Sequence, residues 1–198
     1  MHNGTIPSVS DVAEGAEVSR ATAYRYFPSQ AALMQEAVLE ALGPILDRVS
    51  ESEDAEERVD ELLAFSFPRI ADYEATHRGA LWLAIDQWSK RRAGLLPDGE
   101  RIVRGSRIRL LKEALEPIRA TLDPESFERL AKALSLAFGI EAVVVLKDIW
   151  GVGDNEVEET VRWSARALVR QAVAEAMDEE AFAATAEPSR GQRKRRSS

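Results

Sequence analysis

Apolar residues recur at three-, four- and seven-residue steps along nearly the whole chain, and no stretch sustains the alternation of a half-buried strand. The one β-branched cluster, at 143–145, sits inside a longer helical period. The pattern predicts an all-α fold. Ser8, with Asp11 three residues on, reads as the cap and acidic partner of a short helix whose Val9, Val12 and Ala13 share a face. Ala16-Glu17 then makes a tight turn, Val18 points inward, and Ser19 caps a second short helix, Arg20–Tyr26. Pro28-Ser29 opens a third helix through about Leu42, which Gly43-Pro44 bends or ends.

Longer helices follow. One comes after Asp54, with Val59, Leu62, Leu63, Phe65, Phe67 and Ile70 as apolar positions and a kink expected at Pro68. The next spans roughly 79–92, and a turn-rich connection at 94–99 separates it from a helix over about 101–122. The spacing of Arg101, Arg104 and Arg107 on that helix suits a solvated polar stripe. Asp123-Pro124-Glu125 has the order of an N-cap, a first-turn proline and a first-turn acid. From there Phe127, Leu130, Leu134, Phe138, Val145 and Ile149 recur with a break near Glu141, and 150–154 closes this helix and caps the last one. Val157, Val161, Ala165, Leu168, Ala172 and Ala176 form a narrow stripe on it.

Composition narrows the chemistry more than it changes the fold. The 198 residues are 45% hydrophobic and 30% charged, the balance of a soluble globular protein, and no apolar run reaches membrane-spanning length. Without cysteine there is no disulfide, thiolate nucleophile or thiolate metal site, and two histidines leave little for a His-rich site. A reducing cytoplasm fits, and the first residues show neither region of a secretory signal. No Walker loop, dinucleotide fingerprint, zinc-protease motif or nucleophile elbow occurs, and carboxylate pairs such as Glu56-Glu57 point to different sides of a helix. No enzyme, no cofactor and no metal is the expectation. The net charge is −8, and the stretch 189–198 holds +5, which leaves −13 on the rest. Contact with nucleic acid then has to come from a small local surface.

The stretch from Ser8 to Leu42 supplies one. Two short helices joined by a tight turn, apolar only on their inner sides, form a helix-turn-helix, and the second presents Arg20, Ala21, Thr22, Tyr24 and Arg25 outward. Its continuation, Tyr24-Arg25-Tyr26-Phe27-Pro28-Ser29, resembles the signature A-x-x-A-G-V-S-x-x-T-x-Y-x-Y-F-x-S-K of the TetR (tetracycline repressor) family of bacterial transcriptional regulators. The resemblance covers about 35 residues. It implies a homodimer that binds operator DNA and lets go when a small ligand enters a C-terminal helical domain. Carried onto this chain, it implies DNA contacts from Ser8 and Ser10, from Ser19, Arg20, Ala21, Thr22 and Arg25 on the recognition helix, and from Tyr24, Tyr26 and Gln30 nearby. Three positions depart from the pattern. Glu17 replaces the turn glycine, Gln30 replaces a phosphate-binding lysine, and residues 1–46 sum to −3.

The domains expected are 1–46 for DNA binding, 47–186 for ligand binding and dimerisation, and a basic disordered tail at 187–198. The resemblance also implies a helix ahead of Ser8 that ends at Gly4, so that residues 1–3 would be its last turn and the domain's first helix would otherwise be missing. The ligand is expected to be small and apolar or aromatic, in a cavity beside Phe65, Tyr73, Trp82, Trp88 and Phe138 with Glu141 as a polar anchor. Leu130, Leu134, Val145, Val161, Ala165, Leu168 and Ala172 are expected at the dimer interface. The alternative is a dimeric small-molecule-binding or interaction protein whose DNA-binding half no longer works.

Overall fold

A computed structural model describes residues 6–95 and 105–186. Met1 to Thr5, the arginines Arg101 and Arg104 of the expected polar stripe, and the basic tail lie outside the described residues. The described residues are all helix and turn: α1 (Val9–Gly15), α2 (Arg20–Tyr26), α3 (Gln30–Leu46), α4 (Ala55–Asp72), α5 (Glu74–Arg92), α6 (Ser106–Ala114), α7 (Pro124–Ala137), α8 (Ile140–Val144) and α9 (Asp154–Ala186). No described helix is long and apolar enough to cross a membrane.

The helix ends follow from local chemistry. Ser8, Ser19, Ser29, Asp54 and Asp123 each accept a backbone N–H in the first turn they cap. Two interruptions divide the helices of the second half. Beyond α6 the helix shrinks to a single 3₁₀ turn, Glu116–Ile118, because Pro117 donates no N–H and disfavours the α conformation before it. The break expected near Glu141 falls at Phe138 and Gly139, whose φ of 125° and ψ of −171° belong to a region open essentially to glycine alone.

α3 corrects the reading of Gly43-Pro44 as its end. The helix continues to Leu46, and the carbonyl that Pro44 leaves without its usual donor belongs to Glu40. The Arg69 guanidinium of α4 supplies the donor. Its Nη2 lies 3.0 Å from the Glu40 oxygen, and its Nε donates to the carbonyl of Ala41. α4 likewise runs through Pro68.

Three apolar clusters hold the chain. The largest joins α4, α6, α7, α8 and α9 and takes Ile45 from α3. A second joins Ala31 and Met34 of α3 to Ala80 and Leu83 of α5. The third packs Val9 and Ala13 of α1, Ala23 of α2 and Leu33 of α3, with Val12 and Phe27 at its edge. Val18, expected to point inward, is 43% exposed. Its N–H is fixed to the Ala13 carbonyl at 3.0 Å, which holds its backbone in the turn, and the described helices do not close over its side chain. Across the polar seam between α4 and α9, Asp60 accepts from Arg162 and Arg166, and Glu56 accepts from Arg170.

Candidate nucleic-acid interface

The short helices α1 and α2 owe their placement to reciprocal caps and one strained turn. Ser8 Oγ accepts the Asp11 N–H at 3.2 Å, and the Asp11 carboxylate accepts the Ser8 N–H at 2.8 Å. The N–H that Ser8 donates, with the Ser8 side chain adding to it, holds the Asp11 carboxyl below its ordinary pKa. In the turn, Glu17 adopts a φ of 55°, a left-handed conformation that costs a non-glycine residue about 1 kcal/mol or more. The Ser19 hydroxyl accepts the Thr22 N–H at 3.1 Å and lies 2.9 Å from the Thr22 hydroxyl.

α2 is therefore anchored by its cap and by the buried Ala23, and it turns Arg20, Ala21, Tyr24 and Arg25 to solvent. Thr22 is half-buried beside its cap. Tyr26 is 66% exposed, and the Arg25 guanidinium stacks on its ring at 5.2 Å. Ser8 and Ser10 are half-buried on the first turn of α1. Gln30, where the resembling signature has lysine, donates its Nε2 to the Pro7 carbonyl at 3.1 Å and the Ile6 carbonyl at 3.5 Å. It ties the segment ahead of α1 to the start of α3. Exposed Arg20 and Arg25 can meet phosphates and base edges, and Glu14 and Glu17 beside them oppose the same phosphates.

Of the aromatic residues named for a cavity, Phe138 lines one and the others stand away from it. A cavity of about 100 Å³ lies between α3, α4, α5, α6 and α8, lined by Phe138 and by Val38, Leu39, His77, Ala80 and Arg107. Phe65, Tyr73, Trp82 and Trp88 do not line it. Trp82 and Trp88 are 56% and 58% exposed. Arginine guanidinium groups cover three of the rings: Arg48 over Phe65, Arg69 over Tyr73 and Arg92 over Trp88. Phe67 is buried in the main core. Residues that sequence reasoning passed over, His77 and Arg107, line the cavity instead. Glu141 binds Arg107 Nη2 at 2.7 and 3.0 Å, and Arg107 Nη1 donates to the Ser135 carbonyl at 3.0 Å. Gly139 leaves room for that pair, since a Cβ there would sit 3.2 Å from both side chains.

The stripes expected at a dimer interface are also placed differently. Leu130, Leu134, Val161 and Ala165 are buried in the chain's own core, where α9 lies on α4 and α7, and Leu168 and Ala172 pack against that core. An amphipathic period marks a buried face without saying whose surface buries it. Val145 stays exposed, as do Leu136, Ile149, Trp150 and Trp163.

No curated protein and no solved structure matches the chain. Residues 7–37, which hold α1, α2 and the first turns of α3, match the family model described as bacterial regulatory proteins, tetR family, a family of DNA-binding transcriptional regulators.

Proposed function

We propose that the protein is a homodimeric repressor that reads operator DNA with α2 and is released by a small apolar or aromatic molecule. The observation that carries this reading is the outer face of α2, where Arg20, Ala21, Tyr24 and Arg25 stand exposed on a helix fixed from behind by Ala23 and Ser19. Residues 1–46 form the reading unit, 47–186 the sensing and pairing unit, and 187–198 a basic tail. The exposed apolar groups Leu136, Ile149, Trp150 and Trp163 supply a surface for the second copy. The cavity at Phe138 suits the ligand because α3, which leads directly from α2, forms one of its walls. At about 100 Å³ it is smaller than most ligand sites, so entry has to push α3 aside, and that displacement is the release.

Electrophoretic mobility shift with the DNA flanking the protein's own gene tests this. Two arginines on each α2 give four in a dimer, and a log–log salt slope of about −4 is expected if each neutralises one phosphate. Arg25→Ala should flatten the slope by about two. A second reading, an interaction protein without DNA binding, is favoured by the acids at Glu14 and Glu17 and by the use of Gln30 on Pro7. Absence of a shift even at low ionic strength would establish it over the first.

A further inference from the structure

Where α3 hands over to α4, the residues after Leu46 and the far end of α6 surround a second cavity, of about 610 Å³. That volume is within the range of small-molecule sites. It is separate from the cavity at Phe138, although Leu110 of α6 borders both. Its floor is apolar, built from Leu46, Leu62 and Leu110, and Val49 stands at its edge 86% exposed. Four cations line it, Arg48, Arg58, Arg109 and Lys112, against the acids Glu113 and Glu116.

Three of the cations already hold carboxylates. Arg48 pairs with Glu61 at 3.3 Å, Arg109 with Glu113 at 3.0 Å, and Lys112 with Glu128. Arg58 differs. Among the described residues no carboxylate lies within ion-pair distance of it, and its guanidinium donates only to backbone carbonyls, those of Ser52 and, at 3.4 Å, Glu113. A half-buried guanidinium over an apolar floor is matched in charge by an anion and in polarity by a hydrocarbon chain. Arg109 adds to the site a second guanidinium, whose Nη2 donates to the carbonyl of Leu46, the last residue of α3, at 3.1 Å.

We propose that this cavity binds a single-chain amphiphile with an anionic head, an aliphatic carboxylate of medium length. The head pairs with Arg58 beside Arg109, and the chain lies on Leu46, Leu62, Leu110 and Val49. Nothing in the proposed release mechanism at the other cavity is needed for it. Because Arg109 holds the end of α3, occupancy alters the backbone on both sides of that hydrogen bond.

Titration calorimetry on the full chain, with octanoate, decanoate and dodecanoate below their micellar concentrations, reads this directly. Affinity should rise roughly fourfold for each added methylene. Dodecanol should bind at least tenfold more weakly than dodecanoate, and dodecyltrimethylammonium should not bind. Arg58→Gln and Val49→Asp should each weaken dodecanoate at least tenfold. Val49→Asp alters a side chain that is almost wholly exposed, so it reports on the site without disturbing the core. Amide exchange should change on binding at 46–62 and 109–116. Equal binding of the three head groups, unchanged affinity in both variants, exchange changes confined to 35–42 and 138–140, or no heat at any chain length would each overturn the proposal.

Discussion

Replacing Arg69 with methionine tests whether a side chain from α4 is what allows α3 to pass through Pro44. The variant keeps most of the aliphatic stem and removes two donors, one to the Glu40 carbonyl at 3.0 Å and one to Ala41. It also removes the guanidinium stacked 4.9 Å from the centre of the Tyr73 ring. Hydrogen bonds from a charged donor contribute about 1.5–3 kcal/mol, and partial exposure lets water restore some of that. A net loss of about 1–2 kcal/mol follows, or roughly 2–8 °C in Tm for a chain of this size. The distinguishing measurement is a double-mutant cycle with Pro44→Ala, read by urea unfolding at 222 nm. Alanine at 44 returns an N–H to the Glu40 carbonyl, so the cost of losing Arg69 should fall by about 0.5–1.5 kcal/mol in that background. Additive effects within about 0.3 kcal/mol would refute the reasoning, since Arg69 would then contribute through something other than the proline's missing donor.

Gly139→Ala should cost about 1–3 kcal/mol, because its φ of 125° excludes a side chain and the added Cβ would press on Arg107 and Glu141. Gly43→Ala, with nothing within 4 Å and a helical setting, should instead stabilise by about 0.5–1 kcal/mol, and denaturant midpoints compare the two. Glu17→Gly relieves the left-handed strain at 55° by about 1 kcal/mol and removes an acid beside α2; it should raise the midpoint and tighten DNA binding in a mobility-shift assay. For Asp60, the hydrogen bond from Arg162 holds the carboxyl below its usual pKa, with Arg166 adding to it and burial opposing. A depressed folded-state pKa means that the contribution is complete above the unfolded value near 4 and is lost as pH falls through the folded value. Wild type should exceed Asp60→Asn by about 1 kcal/mol at pH 7 after solvent screening, and that gap should close as the pH falls below the unfolded value.

Local signals made the α1–α2 pair the most legible part of the chain. Ser19 in front of Arg20 and Phe27-Pro28 behind Tyr26 fix both ends of α2 within the segment itself, and the structure gives the same bounds. The extension of α3 was not legible, because the donor that rescues Pro44 comes from a residue 29 positions away from the carbonyl it meets. The break in the run through 127–149 was legible near Glu141, but its seat at Gly139 was not, since apolar spacing does not mark which residue takes a φ of 125°. α5 misleads most. It buries His77 and Gln87 while it exposes Trp82, Ile85 and Trp88, which inverts the polarity rule from which pocket aromatics were inferred. A polar side chain can be buried where it finds a partner, and a tryptophan can stay outside where an arginine covers its face.

Buried residues of α3 enter all three apolar clusters: Leu33 with α1 and α2, Ala31 and Met34 with α5, and Ile45 with the main core. Neither α1 nor α2 contributes a buried residue to the other two clusters. The exposed arginines on α2 are therefore positioned mainly by α3, with a second hold where Ile6, ahead of α1, packs beside Gly79 of α5. Two arginines from different helices grip its distal end, Arg69 on the carbonyls of Glu40 and Ala41 and Arg109 on that of Leu46. Helix carbonyls at a C-terminus lack internal donors and carry partial negative charge, so cations there hold the end and orient it together. Both proposed small-molecule sites adjoin α3, one along its middle at Val38 and Leu39 and the other at its end at Leu46. On those two proposals, a displacement of α3 at either cavity carries the α1–α2 pair with it and works against the packing of Ile6 on α5.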